Sequence, residues 1–208
     1  MTPNAIADRR VIAPYVTAWT EERDPSSTVV MRRGVGIAYE DERVFDRDEH
    51  GVLWSRTPSR PGCGRPDFGR VHPLRQRHAM RLLLCQVCAS PADRTDEGVL
   101  WLLKDHRADW LGWPNRMGVS EPPVCVPCVR LSVRLCPALR NGAVAIRAGR
   151  YPIAGVNGAL YRRNGLVPVA VGQVMVEYGD PRTRWIRAAH LIRRLSDCVT
   201  VPLESLVD

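Results

Sequence analysis

The sequence predicts an α+β protein in which a central cysteine-rich module is flanked by an N-terminal strand region and by a C-terminal antiparallel meander closed by a helix. Three observations predict this class. Two C-x-x-C pairs, one beginning at Cys85 and the other at Cys125, lie on either side of a strand-like apolar run. Short aliphatic runs follow residue 142 and are separated by Asn-Gly dipeptides, which favour hairpin turns. Apolar side chains then recur at helical spacing from Trp185 to Leu195.

The N-terminal strand region comprises residues 1–54. Residues 1–27 predict a short helix or an extended arm that ends in a linker at Asp24-Pro25. Apolar and aromatic runs predict strands at 35–39, 43–45 and 52–54, with a turn at 48–51. We expect these strands to form a hairpin or a three-stranded meander.

Residues 55–80 predict a basic, Pro/Gly-rich loop followed by a short helix. Proline removes backbone donors and glycine adds chain entropy, so no regular element is expected before Pro73. A short helix through residues 80–84 then leads to Cys85. Arg75 and Arg77 belong to the densest basic segment of the chain, which predicts either an anion-binding passage or a solvated helix face.

Residues 81–140 form the cysteine-rich module. Each C-x-x-C pair can place two thiolates on one tetrahedral ion, and the folded insertion brings the pairs together. The run 99–103 predicts a strand that is buried on both faces. A helix is expected over 127–135, because Pro127 suits a first helical turn. The pattern therefore favours a metal site, and the alternative is two pairs of buried or redox-active cysteines.

This order of parts, a cysteine knuckle, a hairpin and a helix that carries the last ligands, resembles the treble-clef zinc-finger class. The residues that carry the resemblance are Cys85, Cys88, Cys125 and Cys128. The resemblance implies a structural Zn²⁺ and a local fold. Treble clefs serve many functions, so it implies no single activity.

The module is also similar in order to zinc-bearing HNH nucleases. Asp105-His106 follows the predicted strand, and Asn115 lies in the loop before the second cysteine pair. The resemblance implies His106 as general base, Asp105 as ligand of a catalytic metal and Asn115 as a supporting residue. The chain departs from this family at Val129, where many members carry a histidine or asparagine, and it lacks the family's Gly-Gly turn.

Residues 141–208 predict a meander followed by a helix. Turns are expected at Asn157-Gly158, at Asn164-Gly165 and at Gly172. Asp180 and Pro181 predict the start of the helix, whose apolar stripe would pack on the meander. The expected strands lie at 143–147, 151–156, 159–162, 166–171 and 173–178.

The composition indicates which partners and which cellular compartment to expect. The 208 residues carry a formal net charge of +8, with 30 arginines and lysines against 22 acidic residues. A basic balance favours polyanionic partners such as nucleic acid, although an arginine-rich, lysine-poor composition is also typical of GC-rich genomes. We find neither a secretory pattern near the N-terminus nor a membrane-spanning run, and expect a cytoplasmic protein with reduced, metal-bound cysteines.

Three hypotheses for function remain open from the sequence. The first is a non-catalytic zinc protein that binds nucleic acid through an arginine-rich surface. The second is an HNH-like metal-dependent nuclease that uses Asp105 and His106. The third is a zinc-stabilised adaptor that binds another protein. The surface of the first hypothesis would comprise Arg75, Arg77, Arg130, Arg134, Arg187 and Arg194.

Overall fold

The computed structural model describes residues 13–25, 27–109, 111–140 and 142–207. The start of the predicted N-terminal arm lies outside these residues. The α-helices are α1 Pro73–Leu82, α2 Val126–Leu135 and α3 Glu204–Val207, and short 3₁₀ helices occur at Val44–Asp46, Pro137–Leu139 and Pro181–Trp185. The strands are β1 Thr17–Trp19, β2 Val29–Arg32, β3 Gly36–Tyr39, β4 Leu53–Trp54, β5 Pro66–Val71, β6 Arg94–Thr95, β7 Gly98–Lys104, β8 Met117–Val119, β9 Ala143–Arg150, β10 Ile153–Asn164, β11 Val167–Glu177 and β12 Ile186–Val201.

A large, mainly antiparallel sheet organises the molecule in the order β11-β10-β12-β9-β7-β6. The long strand β12 pairs with β10 along its first half and with β9 along its second half, so it joins the two halves of the sheet. β4 and β8 also pair with β12, and β4 does so in parallel. The β7–β9 pairing places Trp101 opposite Ile146 and ties the cysteine-rich module to the C-terminal strands.

The core follows this sheet. Trp101, Ile146 and Leu195 come from β7, β9 and β12 and are fully buried in one cluster. Met80 of α1 packs against Leu191 of β12 and Trp54 in a second cluster. These contacts confirm a mixed α+β architecture with few helices.

The predicted C-terminal helix is wrong, because residues 186–201 form β12. Only Pro181–Trp185 is helical, as a 3₁₀ turn in which the Asp180 side chain accepts a hydrogen bond from the backbone N–H of Arg182. Much of β12 is buried on both faces at the centre of the sheet, as Ile186, Leu191 and Ile192 show. A strand of this kind shows no simple alternation, so the apolar spacing alone does not distinguish it from a helix.

Two of the three predicted meander turns are also wrong. Asn157-Gly158 lies inside β10, and Gly172 lies inside β11 next to a register shift. Only Asn164-Gly165 connects two strands, β10 and β11. Gly158 serves a different purpose: a Cβ there would lie 2.2 Å from the carbonyl oxygen of Arg187, so the glycine permits close approach of β12.

The N-terminal half departs from prediction at four places. A 3₁₀ helix at Val44–Asp46 replaces the strand predicted at 43–45, and β4 joins the large sheet while β2 and β3 form a separate hairpin. Residues expected to be irregular form β5, which pairs with β1. The helix before Cys85 begins already at Pro73, because His72 caps it and Pro73 suits its first turn.

The predicted strand at 99–103 and the predicted helix at 127–135 are confirmed as β7 and α2. No helix in the described ranges is both long enough and apolar enough to span a membrane.

Candidate metal centre

The first cysteine pair lies on a tight turn directly after α1. The helix ends at Leu82, and the next residue, Leu83, has a left-handed φ of 54° that redirects the chain. The backbone N–H of Cys85 donates to Ser90 O at 2.7 Å, and the N–H of Ala89 donates back to Cys85 O at 2.9 Å. These two bonds close a loop that carries Cys85 and Cys88.

The second pair lies at the N-terminus of α2. Cys125 is the residue before the helix, and Cys128 lies in its first turn. The N–H groups of Cys128 and Val129 donate to Cys125 O at 3.0 and 3.2 Å. This helix end provides the partial positive charge that stabilises thiolates.

The four sulfur atoms converge on one point. All lie within 4.8 Å of one another, and Cys88 Sγ is 3.6 Å from Cys125 Sγ. Four thiolates at the usual Zn–S distance on a tetrahedral ion would be separated by about 3.8 Å. No disulfide joins these cysteines. The cluster therefore fits a single Zn²⁺ held by Cys85, Cys88, Cys125 and Cys128.

The electrostatics of the cluster favour a bound cation. Burial is the main cause that raises the pKa of the Cys125 thiol to about 11, and the neighbouring Cys85 contributes in the same direction. Burial likewise raises the pKa of Cys128. Burial also acts to raise the pKa of the Cys88 thiol, but hydrogen bonds from Ser90 lower this pKa to about 7. Zn²⁺ would remove the cost of crowding thiolates because its charge stabilises all four.

Backbone pairing fixes the two cysteine pairs relative to β7. The N–H of Val124, just before α2, donates to Leu100 O at 2.9 Å, and the N–H of Gln86 donates to Pro123 O at 3.0 Å. Cys85, Leu100, Val124 and Val129 pack together in one buried cluster. The site is therefore part of a hydrophobic core.

The residues implied by the nuclease resemblance form no second metal-binding group in the part of the chain that the structure describes. The Arg107 side chain donates to the Asp105 carboxylate at 2.7 and 3.0 Å, and this contact lowers the pKa of Asp105 to about 2. His106 Nδ1 lies 2.7 Å from Asp109 Oδ2. Asn115 Oδ1 accepts the backbone N–H of Cys198 at 3.0 Å.

Most of the six predicted nucleic-acid-binding arginines contact other parts of the protein. The prediction is corrected for Arg75, which is only 5% exposed because it forms a buried ion pair with Glu22. The remaining contacts are Arg77 over the Trp54 ring at 4.5 Å, Arg130 Nε donating to Leu206 O at 3.0 Å, Arg187 with Asp24 at 3.0 Å, and Arg194 with Glu177. Arg134 is exposed, and its side chain makes no hydrogen bond or ion pair with the described residues.

The ion pair between Arg75 and Glu22 could not be predicted from a local sequence pattern. Glu22 lies far from Arg75 along the chain, and no i, i+3 or i, i+4 spacing connects them. Only the pairing of β1 with β5, directly before α1, brings the two side chains together. Their contact ties the N-terminal segment to α1.

No protein-family model, curated protein or solved structure matches this chain. The four-cysteine cluster and the arrangement of surface charge therefore carry the functional evidence.

Proposed function

We propose that the chain is a non-catalytic zinc protein of the treble-clef type that binds nucleic acid. The observation that carries the zinc assignment is the convergence of four cysteine sulfurs within 4.8 Å. Four thiolates fill a tetrahedral ion and leave no position for water or substrate. The Zn²⁺ in this proposal is therefore structural.

The order of elements around the cluster supports the treble-clef part of the proposal. A knuckle at residues 85–88 precedes the β6–β7 hairpin, and α2 follows with the last two cysteines. In this arrangement the metal would hold the helix against the hairpin. Reduced thiols are required, which fits a cytoplasmic location.

Metal analysis tests the zinc assignment. We expect the purified protein to contain about one Zn²⁺ per chain and Cys125→Ser to lower this content markedly, since a tetrahedral thiolate site uses all four ligands. Cys63→Ser is the matched control, because Cys63 is an exposed cysteine outside the cluster. Unchanged zinc content in Cys125→Ser would exclude the site.

The nucleic-acid part of the proposal is supported by the net charge of +8 and by the arginine-rich composition. Electrostatic binding to phosphates releases counterions, so affinity should fall steeply with salt. The test is a gel titration of the zinc-loaded protein against plasmid DNA and structured RNA at low and physiological salt, with Mg²⁺ present.

The same gel separates the three hypotheses. A salt-sensitive shift with intact strands supports non-catalytic binding. Nicking that His106→Ala abolishes, without loss of zinc, would replace this proposal with an HNH-like nuclease. If the gel shows no shift and no nicking, nucleic-acid binding is rejected and the protein-binding adaptor remains.

A further inference from the structure

Two shallow grooves meet at Trp185. One has a volume of about 510 Å³ and the other about 290 Å³, and both are lined by Arg163 and Trp185. Within the described ranges, no acidic residue lines either groove. We call this surface the Trp185 patch, and define it by Trp185 and the six arginines that line the grooves: Arg32, Arg33, Arg162, Arg163, Arg182 and Arg184.

Separate elements converge to build the patch. Arg32 ends β2, Arg162 and Arg163 lie in β10, and Arg182 and Arg184 lie in the 3₁₀ helix. Gly36 of β3 makes this convergence possible, because a Cβ there would lie 2.1 Å from Arg184 O. Its φ of 102° also favours glycine. The 3₁₀ helix therefore rests directly on the β2–β3 hairpin, and Arg32, Arg162 and Arg163 lie on paired strands.

The positive charge of the patch is largely uncompensated. Arg182 pairs with Asp180 at 2.6 Å. Arg32 donates to the carbonyl oxygens of Tyr39 and Glu40, and Arg163 donates to that of Gly165, but carbonyl groups do not neutralise a guanidinium. In the described part of the chain, three of the six arginines have side chains that make no hydrogen bond or ion pair: Arg33, Arg162 and Arg184.

We infer that the Trp185 patch binds single-stranded nucleic acid, with arginines on the phosphates and one base against the half-buried Trp185. This inference rests on the proposed function and specifies where binding occurs. All six arginines are exposed, and guanidinium groups match phosphate geometry. Aromatic side chains between cationic groups suit a strand whose bases are free to stack. A duplex keeps its bases paired and offers Trp185 no such contact.

A triple variant tests the location. Arg33→Gln, Arg162→Gln and Arg184→Gln together remove the three arginines of the patch that have no described partner. The matched control combines Arg23→Gln, Arg65→Gln and Arg140→Gln, which changes net charge equally at exposed positions outside both grooves. The probe is a fluorescein-labelled oligothymidylate of about 20 nucleotides, and anisotropy is recorded over a range of NaCl concentrations.

We expect the patch variant to bind at least about tenfold more weakly than the wild type. The slope of log K against log NaCl concentration should be smaller in magnitude by about 2, because three phosphate contacts are lost. The control should change by less than about threefold. Equal loss in both variants, or no loss in the patch variant, would overturn the location while the proposed function stands. Duplex DNA bound as tightly as the single strand would overturn the single-strand specificity.

If the wild type binds none of the nucleic acids tested, the proposed function is rejected, and this inference with it. Zinc content and circular dichroism confirm that each variant is folded. Single charge reversals provide a second measurement if a triple variant fails to fold. Arg162→Glu should then weaken binding more than Arg65→Glu, and equal effects would overturn the location.

Discussion

Glu22 carries a fully buried carboxylate that accepts four hydrogen bonds from N–H groups. Two come from the Arg75 guanidinium at 2.6 and 2.7 Å, and two from the backbone N–H groups of Arg60 and Trp19. Burial acts to raise the pKa of Glu22, but the hydrogen bonds from Arg75, Arg60 and Trp19 lower it to about 2. The charged pair is therefore satisfied, and it joins β1, the loop after β4 and α1.

Glu22→Gln should destabilise the protein in a pH-dependent way. The pKa of Glu22 in the folded state lies below its usual value of 4.5, so its contribution is complete above about pH 5 and is lost as pH falls toward 2. We expect a loss on the order of 3 kcal/mol in the free energy of unfolding at pH 7, shrinking toward pH 3.5. Urea unfolding of both proteins at several pH values measures this difference.

The exposed neighbour provides the control, since Glu21→Gln should change the free energy of unfolding by less than about 0.5 kcal/mol. Acid release of a metal would affect wild type and variant alike, so it cancels in the difference between them. A difference that stays constant with pH would contradict the role assigned to the Glu22 carboxylate.

The two Asn-Gly dipeptides show how the same short sequence serves different elements. Gly165 has a φ of 59° and open space around it, as a hairpin turn requires. Gly158 lies in the middle of β10, where Val156 and Asn157 pair with both neighbouring strands. A Cβ at Gly158 would lie 2.2 Å from Arg187 O and 2.7 Å from Ala188 Cα, which are backbone atoms of β12.

Gly158→Ala should therefore cost more stability than Gly165→Ala. The first substitution forces β10 away from β12 and should lower the free energy of unfolding by about 3 kcal/mol. The second places an alanine at a left-handed position without a clash and should cost about 1 kcal/mol. Thermal and urea unfolding of the two variants provide the comparison, and equal losses would show that the sheet accommodates a side chain at Gly158.

At the scale of the whole molecule, the four-cysteine cluster lies where three parts of the chain meet. It joins the turn after α1, the start of α2 and, through Leu100, strand β7. β7 is in turn paired with β9 of the large sheet. A metal ion here would stabilise the packing of the module against the sheet as well as the local turn.

Removal of zinc should consequently lower the stability of the whole chain. We expect a chelator under reducing conditions to decrease Tm by about 10 °C or more, because the binding free energy of a structural zinc contributes to folding. Near-ultraviolet circular dichroism should weaken in the same titration, since Trp101 is buried in the adjoining core. Added Zn²⁺ should restore both signals. An unchanged Tm after complete metal removal would show that the cluster is not a structural site.

The sequence by itself determined the features that depend on local spacing. The C-x-x-C pairs identified all four clustered cysteines, because two residues between ligands suit a turn or the first turn of a helix. β7 and α2 were predicted because a short aliphatic run and a proline near a helix start are local signals. Asn164-Gly165 was predicted as a turn for the same reason.

Tertiary structure alone decided the features that depend on distant partners. The apolar spacing of residues 185–195 suits a helix, but β10, β4 and β8 supply hydrogen-bonding partners to this part of β12, and a strand results. Arg75 resembles its neighbour Arg77 in the sequence, yet Arg75 is buried in an ion pair with Glu22. Local sequence patterns describe one segment at a time. Strand pairing and burial depend on which segments come together in the fold, and so do the contacts of a charged side chain.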